Sequence, residues 1–309
     1  MSDSDYDSDG EKKPTIKKGP GRPRKNPKKE PGKRNGISLQ PQDADNYIEV
    51  LYDCPIIFKK IFQFFKALAA THIQILFRPA DIIFYAIDHH KASKIRIRVI
   101  AAKLNHYYCR GMLDVGISAK DVELILNKID KTYSNIVIMS HVNATQRSLI
   151  INLHNDMKIE ESHTCDLIGQ YDKIENEAAF SEAHYAIKFE FPSKNFRKMI
   201  TEIKAMSDQL SIIQDDAKSP LSFEYLTANK KIQSRHIVKE KDRIKLISQV
   251  NDDGFRVDIV VDHINPISKA QISENIKLCV DENKPLMTIS YVDDNAIEII
   301  TLTNIIDSR

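Results

Sequence analysis

The chain has 309 residues, four cysteines and a formal net charge of +2, and this length predicts about two domains with ample material for a core. The scattered cysteines include no C-x-x-C pair, which argues against a disulfide framework and a zinc site. No apolar run approaches the roughly 20 residues that span a bilayer, and the acidic start is no signal peptide, so we expect an intracellular protein without membrane contact.

The first 36 residues form a tail of distinct composition, with 11 Lys or Arg and 6 Asp or Glu. Four Asp and three Ser among the first nine residues predict disorder. A Pro- and Gly-rich basic stretch follows, in which residues 21–25 (GRPRK) resemble the AT-hook, a motif that binds the minor groove. The resemblance implies DNA contacts from Arg22, Arg24 and Lys25. A localisation signal or a solvated charge run is the alternative.

Residues 46–168 predict the element order strand, helix, strands, helix, strands. The predicted strands are 46–52, 73–77, 82–87, 94–100, 107–116, 135–141, 148–153 and 162–168. Asp53 and Ser118 are the predicted N-caps of the two helices. The first helix buries Ile57, Ile61, Phe64, Phe65 and Leu68 on one face and carries Lys59, Lys60 and Lys66 away from it; the second carries Lys120 and Lys128. Taken alone, such lysines are typical of a solvated outer face.

Residues 184–303 repeat this order. Their predicted strands are 184–191, 209–214, 221–226, 231–238, 243–250, 255–261, 277–280, 286–291 and 296–302, with a hairpin turn at Asp253-Gly254. Ser193 and Asp262 are the predicted N-caps of two further helices, which bring Lys194, Lys198 and Lys269. A period above one hundred residues indicates an internal duplication, and four helices of one design favour a shared lysine-bearing surface.

The acidic stretch 169–183 lies between the two halves and is predicted to connect them. The predicted organisation is therefore a disordered tail (1–36), a first domain (46–168), the connector (169–183) and a second domain (184–303). The fold class is α+β, with antiparallel sheets outside and four helices on the inner face.

The order and spacing of several segments resemble the PCNA type of DNA sliding clamp, in particular the divergent clamps of large cytoplasmic DNA viruses. The segments that carry the resemblance are CPIIFKKIFQFFKAL at 54–68, YAIDHHKASKIRIRVI at 85–100, HYYCRGMLDVGISAKDVELIL at 106–126, FPSKNFRKMITEI at 191–203, HINPISKA at 263–270 and KPLMTISYV at 284–292.

The resemblance implies a homotrimeric ring around double-stranded DNA, assembled by pairing of 162–168 with 231–238 of a neighbour. It assigns DNA contact to Lys59, Lys60, Lys66, Lys158, Lys198 and Lys269. It also implies that DNA polymerase and other replication or repair proteins dock short apolar motifs beside the connector. Ile87, Ile174, Phe180 and Pro285 are the predicted docking wall, with ordinary half-buried residues as the alternative.

Motifs for catalysis are absent from the sequence, which has no P-loop, G-x-G-x-x-G, H-E-x-x-H or G-x-S-x-G pattern. His89-His90 beside Asp88 is interpreted as a solvated turn. We therefore expect no enzyme, no cofactor and no metal. Two alternatives to a ring-forming clamp stay open: an AT-hook architectural DNA-binding protein, and a monomeric clamp-like processivity factor. The expected site of action is the nucleus or, for a viral protein, the cytoplasmic replication site.

Overall fold

Antiparallel strands and a layer of helices make up the computed structural model, which describes residues 36–141, 148–155, 158–169, 173–174, 176–216, 218–227, 233–237, 244–248, 253–270 and 273–306. The first half contains the helices α1 (Pro55–Ala67) and α2 (Ala119–Asn127). Its strands are β1 (Asn46–Tyr52), β2 (His72–Arg78), β3 (Asp81–Ile87), β4 (Ser93–Ile100), β5 (His106–Cys109), β6 (Leu113–Ser118), β7 (Asn135–His141), β8 (Ser148–Asn155) and β9 (Lys158–Ile168).

The second half contains the helices α3 (Ser193–Lys204) and α4 (Val261–Lys269). Its strands are β10 (Ile187–Pro192), β11 (Gln209–Asp216), β12 (Ser222–Leu226), β13 (Gln233–Ile237), β14 (Lys245–Ser248), β15 (Asp253–Val260), β16 (Asn275–Val280), β17 (Leu286–Val292) and β18 (Ile297–Thr303). Two short 3-10 turns, Glu177–Phe180 and Glu182–His184, lie between the halves.

Strand pairing is the same in both halves. The first half pairs in the order β5-β1-β7-β8-β9-β6-β2-β3-β4, all antiparallel. The second half pairs as β14-β10-β16-β17-β18 and β15-β11-β12-β13. A bridge between Ile259 and Ile305 links these two groups, as Gly116 pairs with Ile168 in the first half. The predicted duplicated α+β fold is confirmed.

One strand pair joins the halves into a continuous sheet. β4 of the first half lies antiparallel to β18 of the second, from Ser93 opposite Thr303 to Val99 opposite Ile297. The side chains of Arg96 and Glu298 add an ion pair on this junction, with 2.5 Å between Nη2 and Oε2. The last strand of one half therefore pairs with the fourth strand of the other.

Aromatic side chains fill equivalent positions in the two cores between sheets and helices. In the first core Phe58 of α1 packs against Phe84 of β3, with ring centroids 5.9 Å apart. In the second core Phe196 of α3 and Phe223 of β12 both contact Phe191, at 5.8 and 5.9 Å. All five rings are nearly inaccessible to solvent. The apolar periodicity of the helices thus serves the same packing role twice.

Helix α1 buries a wider face than its spacing predicts. Phe58 and Phe62 are buried along with Ile61, Phe64, Phe65 and Leu68, whereas Ile57 is half-buried. The reason is that α1 packs against both the sheet and α2, so two sides of the helix are covered.

Of the four predicted N-caps, one is confirmed and three are wrong. The N-cap position of α1 is Cys54 rather than Asp53, and no side chain caps this helix. The Ser118 side chain caps α2 as predicted, because its Oγ accepts a hydrogen bond from the Asp121 N–H at 3.3 Å. The predicted caps Ser193 and Asp262 are wrong: both lie inside the first turn, after the N-cap positions Pro192 and Val260. Ser193 is buried beside Ser273, and Asp262 forms an ion pair with Lys204.

Two strand predictions are also wrong. The predicted strand 107–116 is divided into β5 and β6, which pair with different neighbours, β1 and β2. The predicted hairpin at Asp253-Gly254 is part of β15, where Asp253 lies opposite Asp216 of β11. The pairing of β14 with β10 explains this error, because β14 and β15 belong to different sheets.

We predict that Phe84→Ala lowers the free energy of unfolding by about 3–5 kcal/mol, because it leaves a cavity among buried rings. Leu124→Ala removes an exposed apolar side chain from α2 and should change stability by less than about 0.5 kcal/mol. Denaturant titration of the two variants measures both values, and similar losses for both would contradict the assigned core.

Candidate nucleic-acid interface

The four helices of the described chain lie next to one another. Helix α1 packs against α2, α3 packs against α4, and α1 also contacts α4. Together these helices carry nine Lys or Arg and four Asp or Glu, in a chain whose total charge is only +2. Within the described part of the chain, positive charge is therefore concentrated in the helix layer.

An internal repeat sets the positions of the cations on α1 and α3. Residues 58–66 (FKKIFQFFK) align with 196–204 (FRKMITEIK), and the first residue of each, Phe58 or Phe196, is buried. The alignment makes Arg197 the counterpart of Lys59 and Lys198 the counterpart of Lys60. Arg197 is exposed and was not among the predicted site residues; aligning the two helices on their buried Phe would have found it.

Lys59 has a structural partner inside the chain. Its Nζ donates hydrogen bonds to the carbonyl oxygens of Asn127 and Ile129, at 2.9 and 2.7 Å. These carbonyls lie at the C-terminal end of α2, where a cation is stabilised by the helix dipole. Lys59 therefore fastens α1 to α2, and its ammonium group is engaged within the chain.

Lys66 ties the same two helices at another point. Its Nζ lies 2.5 Å from Oε1 of Glu123, and this contact lowers the pKa of the Glu123 carboxyl. Its counterpart Lys204 forms the equivalent tie in the second half, 2.6 Å from Asp262 of α4. These two lysines connect helices within each half.

Lys128 belongs to a polar cluster at the start of β9. Its Nζ lies 2.9 Å from Oε2 of Glu161, which also contacts the Tyr133 hydroxyl and His163 Nε2 at 2.9 and 2.8 Å. These hydrogen bonds, with that of Lys128 first, lower the pKa of Glu161 to about 2. The charge of Lys128 is thus matched within the chain.

The remaining predicted helix cations form what we call the basic helix surface. Lys60, Lys120, Lys194 and Lys269 are exposed and have no acidic partner among the described residues, and Arg197 shares these properties. Lys198 is exposed and only 3.8 Å from Glu202 on its own helix. The basic helix surface comprises Lys60, Lys120, Lys194, Arg197, Lys198 and Lys269. Arg22, Arg24 and Lys25 lie outside the described residues, as does the side chain of Lys158.

The connector covers an apolar patch on the opposite face of the sheet. The patch contains Ile83, Tyr85, Cys279, Met287, Ile289, Ile300 and Leu302, on which Phe180 and Tyr185 pack. Phe180 is 2% exposed, with its ring 5.8 Å from Tyr85 and 5.5 Å from the Arg96 guanidinium. Phe180 is therefore a connector residue that is buried against the sheet, whereas the sequence analysis placed it on a surface wall.

Polar contacts hold the connector on this face. Glu177 accepts hydrogen bonds from Arg78 Nη1 and the Tyr85 hydroxyl, at 3.0 and 2.8 Å. Burial, together with Glu177, raises the pKa of Tyr85. Tyr185 donates to the carbonyl oxygen of Pro285 at 2.7 Å, so both ends of the segment 177–185 are attached.

The other predicted docking residues are half-buried around the same patch. Ile87 follows Tyr85 with the strand period of two and so faces the connector side of the sheet. The Ile174 amide donates to Oε1 of Gln74 at 3.0 Å, and Ile174 packs on the patch. Pro285 precedes β17 beside Tyr185. The three residues surround one patch, and their role in docking stays a prediction.

The described residues contain no group of three or more His, Cys, Asp or Glu that could hold a metal ion. His89 and His90 are exposed, and Asp88 accepts a hydrogen bond from the Ser93 amide at 3.0 Å, which is typical of a turn. Among the same residues, no helix has the length and apolarity needed to cross a membrane.

Comparison with known proteins identifies the fold. The chain is similar to PCNA from Thermococcus kodakaraensis, with a TM-score of 0.70 and 13% identity, over 84% of this chain and 100% of that one. It is also similar to the PCNA2-PCNA3 complex from Sulfolobus tokodaii, with a TM-score of 0.69 and 15% identity, over 83% of this chain and 98% of that one. The fold is therefore PCNA-like.

Sequence comparison gives relatives from a virus. The chain is 27% identical over 300 residues to an uncharacterized protein of African swine fever virus, in the isolates Pig/Kenya/KEN-50/1950 and Warthog/Namibia/Wart80/1980. Each match covers 94% of this chain and 99% of the relative. No family model matches the chain.

The internal repeat supplies a matched pair of variants for the role of Lys59. We predict that Lys59→Met lowers the free energy of unfolding by about 1 kcal/mol, because two carbonyl groups at the end of α2 lose a charged donor. Arg197→Met, at the equivalent position of α3, should leave stability unchanged. Thermal unfolding of both variants at equal ionic strength is the measurement, and equal losses would contradict the assignment.

Proposed function

We propose that this protein is a DNA sliding clamp, a processivity factor that encircles duplex DNA and holds replication proteins on it. The observation that carries the proposal is the basic helix surface, which occupies the helix layer of a duplicated PCNA-like fold. A clamp has to hold DNA without reading its sequence, so it needs attraction to phosphates and no contacts with base edges.

The composition of the basic helix surface suits such a role. Five of its six residues are lysines, whose hydrated ammonium groups act as point charges rather than as rigid bidentate forks. Because the cations come from all four helices, no single helix holds the duplex. Dispersed, exposed charges attract the phosphates of the duplex without fixing it in one position, so the DNA can slide along the surface.

Unpaired strand edges support assembly with further copies of the chain. Among the residues that the structure describes, β13 is at the edge of its four-stranded sheet and pairs only with β12. In the same part of the chain, β9 pairs with β8 along its length but with β6 only at Leu167 and Ile168, which leaves residues 158–166 open on that side. The proposed contact segment is therefore 158–166 rather than the predicted 162–168. Open edges are a liability unless a partner covers them.

The junction between the halves indicates how these edges would meet. β4 and β18 pair within the chain, and their counterparts in the repeat are β13 and β9. Pairing β9 with β13 of a neighbour would repeat the same junction between chains. Successive repeats of one junction give a ring when the rotation between copies closes, and the resemblance to PCNA favours a ring of three chains.

The repeat also predicts the register of that contact. Ile97 of β4 lies opposite Ile299 of β18, and the counterparts of these two positions are 236 on β13 and 161 on β9. We therefore infer that the backbone of residue 161 lies opposite that of residue 236 in a neighbouring chain.

The half-buried residues around the patch, Ile87, Ile174 and Pro285, are the proposed docking face for the short apolar motifs of polymerase and other replication or repair proteins. Viral relatives support action inside an infected host cell, at the site of viral DNA replication.

For the basic tail we propose an accessory role in DNA binding. If the tail alone bound DNA, the architectural alternative would apply instead; deletion of residues 1–36 separates the two, because a clamp keeps its hold on circular DNA without them.

We predict that Lys60→Glu combined with Lys198→Glu reduces retention on nicked circular DNA and polymerase stimulation by about tenfold or more, because like charges face the phosphates. Lys103→Glu combined with Lys218→Glu makes the same charge change away from the helices and should have little effect. The native mass of both variants should stay that of the unmodified assembly. Equal retention by the two variants would rule out the basic helix surface as the DNA site.

A further inference from the structure

The two halves of the chain differ at the outer edge of one strand. In the first half β5 is covered by residues 36–38, which we call the strap. The strap runs parallel to β5, with Gly36 N–H donating to Leu104 O at 2.9 Å, Tyr107 N–H to Gly36 O at 3.1 Å and Ser38 N–H to Tyr107 O at 2.7 Å. In the second half the counterpart of β5 is β14, which among the described residues pairs only with β10.

The missing cover leaves apolar side chains in solvent. Tyr107 lies opposite Val50 and is fully buried, whereas its counterpart Leu246 lies opposite Phe189 and is 47% exposed. The next residue, Ile247, is also 47% exposed. Nearby, the Ser248 hydroxyl is buried without a hydrogen-bond partner among the described residues. The edge of β14 thus has the features of an edge strand that can pair with another strand.

The chain cannot provide this neighbour in the way that it does for β5. The strap precedes β1 by eight to ten residues, and the residues at the same distance before β10 are 177–179. That segment is attached to the sheet face through Glu177, with Arg78 and Tyr85. Because the connector bridges the two halves, it is unavailable for the edge of β14.

The charge beside the edge is reversed between the halves. In the first half Glu49 accepts hydrogen bonds from the amides of Gln42 and Asp43, which follow the strap, at 2.8 and 2.9 Å, and His106 contacts the same carboxylate. The counterparts of Glu49 and His106 in the second half are Lys188 and Lys245. An occupant that places a carboxylate there would be stabilised, although Glu190 opposite Lys245 offsets part of the charge.

We propose that the edge of β14 binds an extended, acidic segment of a partner protein by β-strand addition. The segment runs parallel to β14, covers Leu246 with an apolar side chain and brings carboxylates to Lys188 and Lys245. This surface is distinct from the patch beneath the connector and does not depend on the DNA-binding role.

The strap itself provides the probe. A fluorescein-labelled peptide Gly-Ile-Ser-Leu-Gln-Pro-Asp-Asp keeps the sequence of residues 36–43 but replaces Gln42 with Asp, so that a carboxylate comes to the position near Lys188. A second peptide ends in Lys-Lys instead. Fluorescence anisotropy with the full-length protein should show the acidic peptide binding about tenfold more tightly than the basic one. Amide hydrogen exchange of residues 245–248 should slow when the acidic peptide binds.

Two variants and a matched control locate the site. Leu246→Ser should weaken the acidic peptide about tenfold, whereas Leu39→Ser, the same change at a residue that is 90% exposed on the segment after the strap, should have no effect. Lys188→Glu with Lys245→Glu should reverse the preference toward the basic peptide. Failure of the acidic peptide to bind at about 1 mM, the weak end of measurable affinity, would overturn the proposal. Binding that neither set of variants alters would overturn it as well.

Discussion

The pairing of β4 with β18 is the constraint on which the rest of the structure depends. Each half of the chain ends in a strand that needs a fourth strand from another half, because an open edge leaves backbone donors and acceptors unpaired. Within the chain, this need is met once and joins two sheets into one. The same need remains at β9 and β13, so the principle that unites the halves of one chain also supports the union of several chains.

The helix cations divide according to the same internal symmetry. Lys59, Lys66 and Lys128 each meet an oxygen acceptor within the chain, at the end of α2, on Glu123 and on Glu161. These contacts orient the helices over the sheet. The cations left over are exposed to solvent, and they come from both halves. The cations of the helix layer therefore fall into two groups: some join elements within the chain, and the others can contact an external polyanion.

Divergence between the halves is as informative as their likeness. The first half keeps a strap on β5 and a carboxylate beside it, while the second half has lysines in place of Glu49 and His106 and an uncovered Leu246. The segment 177–179, which precedes β10 as the strap precedes β1, helps to hold the two halves together instead, with Phe180 and Tyr185 on the outer patch. One linker cannot occupy both places, so β14 keeps an open edge among the described residues.

The sequence by itself determined the repeated order of strands and helices, the buried face around Ile61 and Phe65, and the lysines on the helices, because periods of 2 and 3.6 residues are local properties. The tertiary structure alone decided which lysines are engaged, since Lys59 meets a carbonyl 70 residues away. It also decided that β14 and β15 belong to different sheets and that Phe180 is buried. Such outcomes depend on pairing between distant segments, and no local pattern contains that information.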